Sequence, residues 1–243
     1  MITILLIISI LICLYFYSKN FYLNNPEEDR KDFLLGTRLG FSLSLLPIYF
    51  IQTYFDEIFD LFHFKYKLQM FNSFVDQFIN VFFHIGVLEE GTKLLIVLIG
   101  LICFKPIFFK ISTTKEKAST LFLMLAGVSL GFSLIENIVY VYHYNDYIII
   151  ILRSLISTIV HVLCGVEMGY GFAKMILNDK FHKIKWGLWA ILVPITIHSF
   201  YDTIIKGLSG LGVFLLILGV LFLYKWVKRR ITKLRNILME SRL

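Results

Sequence analysis

Gly86–Leu95 reads GVLEEGTKLL, and it lies inside a run otherwise apolar enough and long enough to cross a bilayer. A charged residue at the centre of a span costs roughly 2.5–3.5 kcal/mol on insertion scales, so two adjacent carboxylates and a lysine there demand partners. Glu89 and Lys93 are one helical turn apart with the acid first, a spacing that predicts an ion pair between them. Glu90 lies about 100° further round the same helix and needs a partner from elsewhere in the chain. The residues able to supply one lie in other apolar runs.

Of the 243 residues, 58% are hydrophobic and 17% charged, and the mean hydropathy is +0.76. Those values exclude an ordinary soluble domain. The length accommodates about seven spans of about 20 residues with short connections. The expected fold is all-α: a polytopic integral membrane helical bundle of about seven transmembrane helices, one domain over residues 1–243. A net charge of +7 suggests nucleic acid in a soluble protein, but here Lys and Arg flank the apolar runs, so no nucleic-acid partner is expected. Cys13, Cys103 and Cys164 all fall in apolar stretches at a spacing unlike any metal knuckle, which implies packing rather than a disulfide framework.

Ile2–Tyr17 has no basic flank before it and no small-x-small cleavage site, and reads as an uncleaved first span. A polar connection, Lys19–Asp32, leads to a second span at about Phe33–Ile51. These two peripheral spans occupy residues 1–51. Gln52–Phe74 mixes Asp56, Glu57 and Asp60 with aromatics and reads as an interfacial amphipathic segment. The third span, about Val75–Phe104, ends at Lys105-Pro106, and a basic loop runs to Lys117. Further spans follow at about Ala118–Tyr142, Tyr147–Lys174, Trp186–Ile205 and Leu208–Tyr224. Residues 225–243 form a basic tail, expected as a short amphipathic helix on the membrane surface. Alternate connections place nineteen Lys and Arg on one side and three on the other. That asymmetry predicts a multi-pass protein of the cell membrane with its N-terminus outside and its C-terminus in the cytoplasm.

The fourth span reads GFSLIENIVY, with Glu136 and Asn137 embedded. On the fifth, Arg153, Ser157 and His161 recur every four residues and share a face, which Gly165 and Gly169 extend. The sixth reads HSFYD, with His198 and Asp202 one turn apart. Taken singly, an intramembrane histidine is more often a packing residue, and Gly127 and Gly131 read as helix-packing glycines. Glu167 falls outside the pattern and is read as facing a polar cavity or the cytoplasmic surface. As a set, three carboxylate positions, two histidines, a lysine and an arginine on four helices cannot all face lipid. They are expected to converge in the outer half of the bilayer, open to extracellular water. Such a cluster suits hydrolysis, and it also suits a proton-coupled carrier. A non-catalytic scaffold or immunity protein is a third class; peptide cleavage and ion-dependent flux separate the three.

These motifs together resemble the PrsW family of bacterial intramembrane proteases, distantly related to the CAAX prenyl endopeptidases. The family's E-E-x-x-K stands at Glu89–Lys93, its F-x-x-x-E-N at Phe132–Asn137, its Arg and following His at Arg153 and His161, and its H-x-x-x-D at His198–Asp202. The match covers about Gly86–Ile205, within a catalytic region of about 75–206. The resemblance implies cleavage of a single-span, membrane-anchored protein near the extracellular side, such as a first cut in an anti-sigma factor. It implies that Glu89 or Glu90 activates water with His161 assisting, and that His198, held by Asp202, stabilises the oxyanion. Lys93 would balance one carboxylate, Arg153 would neutralise Glu136, and Asn137 would support the site. The CAAX enzymes carry His where this chain has Glu136, so that role does not transfer. No cofactor is expected by this route; the alternative is Zn²⁺ on His161, His198, Glu90 and Glu136, although no H-E-x-x-H is present.

Overall fold

Backbone polar groups find no water in hydrocarbon, so apolar runs of this length close their own hydrogen bonds as helices. The computed structural model describes residues 23, 26–50, 73–104, 113–143, 156–178, 180–206 and 210–239, and no strand occurs among them. The elements are α1 (Pro26–Leu43), α2 (Ser73–Val81), a π-helical turn (Phe82–Gly86), α3 (Val87–Phe104), α4 (Thr114–His143), α5 (Thr158–Leu177), α6 (Lys180–Lys206) and α7 (Gly210–Met239). Among the described residues, four helical stretches are long and apolar enough to cross a membrane: Glu27–Phe50, Thr114–Tyr140, Thr158–Leu177 and His182–Ile205. The expected total of about seven exceeds these four. The first run, Ile2–Tyr17, and nearly all of Gln52–Phe74 lie outside the described residues, and α3 carries Glu89, Glu90 and Lys93.

The first of the four bends at Ser44 and resumes as helix to Phe50. Pro47 has no amide hydrogen to offer the carbonyl one turn back, which accounts for the break.

Helix α4 is the central post, almost wholly buried along its length. It meets α1 backbone to backbone. A Cβ on Gly127 or Gly131 would collide with the carbonyl oxygen of Phe33 or Thr37, and one on Gly36 with that of Met124. At the α1 N-terminus, Ser119 Oγ donates to Asp29 (3.1 Å) and Thr120 Oγ1 to Asp32 (2.6 Å). The α5 glycines, Gly165 and Gly169, lie against Ser129 and Phe122 on another face of α4. Helix α6 then packs antiparallel to α5.

The tail differs from the expected separate surface helix. Helix α7 is continuous through Tyr224 to Met239. Val227, Leu234 and Leu238 recur on one face and are buried with Leu23, Phe33 and Ala118, while Lys225, Lys228 and Arg229 stay exposed on the other. An apolar stripe with a protein surface to cover has no reason to break the helix and turn to lipid.

Candidate active site

Four helices converge on one buried polar cluster. Helix α3 supplies Glu89, Glu90 and Lys93, α4 supplies Glu136 and Asn137, α5 supplies His161, and α6 supplies His198 and Asp202. Arg153 lies outside the described residues.

The acids of α3 reach α6 because of the turn that precedes them. The amide of Val87 donates to the carbonyl of Phe82, five residues back, which accommodates one extra residue in the helix. Gly86, at its end, lies where α6 passes closest: a Cβ there would strike Ser199 Oγ. Glycine at this position lets the two backbones approach until His198 and Glu90 can bond.

Lys93 does not take Glu89, the partner its spacing suggests. Its Nζ lies 2.5 Å from Glu90 Oε1, both side chains being fully buried. The reason is that Glu90, not Glu89, points inward, and a second acceptor draws the ammonium the same way: His161 Nδ1, at 2.8 Å. The Phe132 ring lies beneath the ammonium, 4.7 Å from its centroid. An ammonium has only hydrogens to give, so His161 Nδ1 accepts and the ring proton sits on Nε2, 2.8 Å from Glu136 Oε2.

His198 faces three carboxylates. Its Nδ1 is 2.8 Å from Glu90 Oε1, and its Nε2 is 3.6 Å from Glu89 and 3.7 Å from Asp202. The two imidazoles meet edge to face, centroids 4.7 Å apart. Asn137 Nδ2 donates to Thr158 Oγ1 at 2.9 Å, tying α4 to the start of α5 beside the cluster.

Exposure separates the two glutamates. Glu90 is fully enclosed, whereas the Glu89 and Asp202 side chains are 12% and 14% exposed and form the edge of the cluster. The Oε2 atoms of Glu89 and Glu90 are buried without a hydrogen-bond partner among the described residues. A carboxylate oxygen in that position is a place for a water, a proton or a cation.

Glu89, His161 and His198 also offer one ligand atom each, all within 4.8 Å of one another. Two imidazoles and a carboxylate match the protein ligands of a catalytic Zn²⁺ with a position left open. His198 suits that role as drawn, since its other nitrogen bonds the Glu90 carboxylate. His161 fits only if Lys93 releases Nδ1, because the ring proton must move there to free the Nε2 lone pair.

The contact between Lys93 and His161 was not foreseeable from spacing: it joins residues 68 apart. The fully buried Glu167 is explained here by its partners, the indoles of Trp189 and Trp226.

Residues 31–227 match the family described as PrsW family intramembrane metalloprotease. Protease PrsW of Bacillus subtilis (strain 168) is 29% identical over 227 residues, covering 93% of this chain and 91% of that protein. Protease PrsW of Clostridioides difficile (strain 630) is 28% identical over 174 residues, covering 70% of each. No solved structure gives a significant match. The chain is a multi-pass membrane protein, and it belongs to the PrsW family of intramembrane metalloproteases.

Proposed function

We propose that this protein hydrolyses a peptide bond of a single-span membrane protein, with Glu89 as general base, near the extracellular face of the bilayer. The observation that carries the choice of Glu89 is the inequality of the two acids. Glu90 is fully enclosed and its Oε1 is held by both Lys93 and His198, whereas Glu89 stands at the rim of the cluster with His198 no nearer than 3.6 Å. A base must have a free lone pair within reach of the water it activates.

In this reading, Glu89 takes a proton from water as the hydroxide adds to the scissile carbonyl carbon. His198, with Nδ1–H on Glu90, donates from Nε2 to the developing oxyanion. The proton held by Glu89 then passes to the amide nitrogen as the carbon–nitrogen bond breaks, leaving a carboxylate and an amine. Lys93 pairs with Glu90 and, by donating to Nδ1, fixes the tautomer of His161, whose Nε2 lies 2.8 Å from Glu136 Oε2. Glu136 and His161, the latter with a ring nitrogen within 4.8 Å of a Glu89 oxygen, would orient the carbonyl beside the base.

A second reading is favoured by the spacing of Glu89, His161 and His198 and by the family's description. Those three residues would hold a Zn²⁺ that supplies an acidified water and polarises the carbonyl. The test is reconstitution of purified protein with a fluorescent single-span peptide. Glu89→Gln is expected to lose cleavage by on the order of 10²-fold or more while inserting normally. Parent activity that survives a zinc chelator supports the glutamate reading; loss with the chelator and recovery with Zn²⁺ overturns it. Equal activity of Glu89→Gln and parent removes Glu89 as base.

A further inference from the structure

One fully buried carboxylate stands apart from the catalytic cluster. Glu167 of α5 accepts a hydrogen bond from the Trp189 indole of α6 at 3.0 Å and one from the Trp226 indole of α7 at 2.9 Å. The Arg230 Nε lies 3.6 Å from its Oε1. The Arg230 guanidinium sits over three rings, 4.6 Å from the centroid of Tyr170, 4.7 Å from Trp226 and 5.1 Å from Trp189. Three helices meet on one acid, and the Arg230 side chain, 16% exposed, lies across the aromatic faces beside it.

Purely apolar contacts would hold α7 against the bundle at least as well, since buried ion pairs are seldom the stabler choice. What directional bonds add is a fixed axial position. Helices α5 and α6 run antiparallel, and their facing residues descend together. His161 meets His198, Cys164 Sγ lies 3.5 Å from the Pro194 carbonyl, Glu167 meets Trp189, and Tyr170 meets Trp186 edge to face. Glu167 is six residues from His161, about 9 Å along the same helix. A slip of one turn, about 5.4 Å, would exceed the 4.7 Å that separates the two imidazole centroids.

We propose that Glu167 and Arg230 are positioning residues: by tying α7 to α5 and α6, they hold the two histidine-bearing helices in register. The tail helix thereby becomes part of the catalytic unit without touching the reacting atoms. This inference rests on the peptidase reading for its kinetic test, and a distance measurement tests it independently.

The experiment uses the full chain in lipid nanodiscs, comparing parent with Arg230→Met, Arg230→Lys and Glu167→Gln. Arg230→Met is expected to lower kcat about tenfold or more with KM within about twofold, and Arg230→Lys to recover part of the loss. Nitroxides on cysteines replacing Lys174 and Phe200, about 24 Å apart along the helix axes, report the register by pulsed electron resonance in a background free of native cysteines. A shift or broadening of several ångströms in Arg230→Met and Glu167→Gln is the expected result. An unchanged distance with unchanged kcat, or a rise in KM alone, overturns the proposal. If Arg230→Met fails to fold, Trp226→Phe, which removes one N–H donor and little volume, carries the same two readouts. A parent that cleaves no peptide refutes the peptidase reading, while the distance still decides the register.

Discussion

Lys93 Nζ stands 2.8 Å from His161 Nδ1 and 2.5 Å from Glu90 Oε1, so one ammonium joins the acid of α3 to the imidazole of α5. It neutralises Glu90 and dictates which nitrogen of His161 carries the proton. Lys93→Met should therefore do two kinds of damage. Removing one member of a buried pair typically costs 3–5 kcal/mol, about what leaving the Glu90 charge unpaired implies here. Thermal unfolding in detergent should reveal that loss, and Lys93→Arg, too large for a fully enclosed site, should not restore activity. A Lys93→Met protein as stable and active as the parent would contradict both roles.

Glu90→Gln offers a comparison with Glu89→Gln. Gln keeps an acceptor for His198 and removes the charge that Lys93 needs, so stability should fall along with activity. Glu89→Gln should spare stability, because Lys93 and His198 bond Glu90 while Glu89 is approached only at 3.6 Å. Leu95→Met, on the exposed face of α3, should leave both unchanged. Melting temperature and initial rate measured on the same preparations test the contrast, which fails if the two Gln variants behave alike.

Packing of α1 on α4 has a sharp dependence on Gly131, where any Cβ would meet the Thr37 carbonyl oxygen and the Phe41 amide. Gly131→Val must push the helices apart, at a cost of roughly 1–3 kcal/mol or more. Gly91 has open space beside it, so Gly91→Ala should be tolerated and gain slightly from helix propensity. Thermal melts of the two variants should move in opposite directions.

Orientation is testable with cysteine labelling in a chain whose Cys13, Cys103 and Cys164 are replaced. Cysteines at Ile111 and Asp179 should be shielded from an impermeant thiol reagent in intact cells, and one at Asn145 should react. The reverse pattern would invert the protein and move the site to the cytoplasmic half.

The proposed orientation carries an expectation for where substrates are cut. A helical substrate has its carbonyls tied up in its own ladder and would have to unwind to reach Glu89 as the proposed base. Cleavage is expected in the outer third of a substrate span, helped by a Gly-Ser pair and suppressed by a run of Leu. Mass spectrometry of products from a substrate with that pair moved stepwise checks this, and cleavage following the pair to the cytoplasmic end would contradict it.

Much of the cluster was legible because an ionisable residue in an apolar helix has few tolerable surroundings. Glu90, Glu136, His161 and His198 had to face inward, and they do. Pairing was less legible. Whether Lys93 reaches three or four residues back depends on what else attracts it, and His161 arrives from a helix that spacing cannot place. The tail was misjudged for a similar reason: an amphipathic stripe looks the same whether its apolar face meets lipid or Phe33 and Ala118. The cluster around Glu167 escaped because its partners, Trp189, Trp226 and Arg230, are residues that ordinarily mark a membrane interface.

The π-helical turn at Phe82–Gly86 carries a consequence for how this helix tolerates change. Phe74 and Phe78 meet Phe200 of α6 edge to face, and beyond the turn Glu90 bonds His198 of the same helix. From residue 78 to residue 86, eight regular steps of 100° would leave the two about 80° out of phase. The extra residue takes up roughly one step and keeps aromatic anchor and acidic pair on a common meridian. The turn works as a phase adjuster between two halves with separate duties. A single-residue deletion there would leave every side chain of the candidate site in the sequence and rotate the acids a quarter-turn away from their histidine.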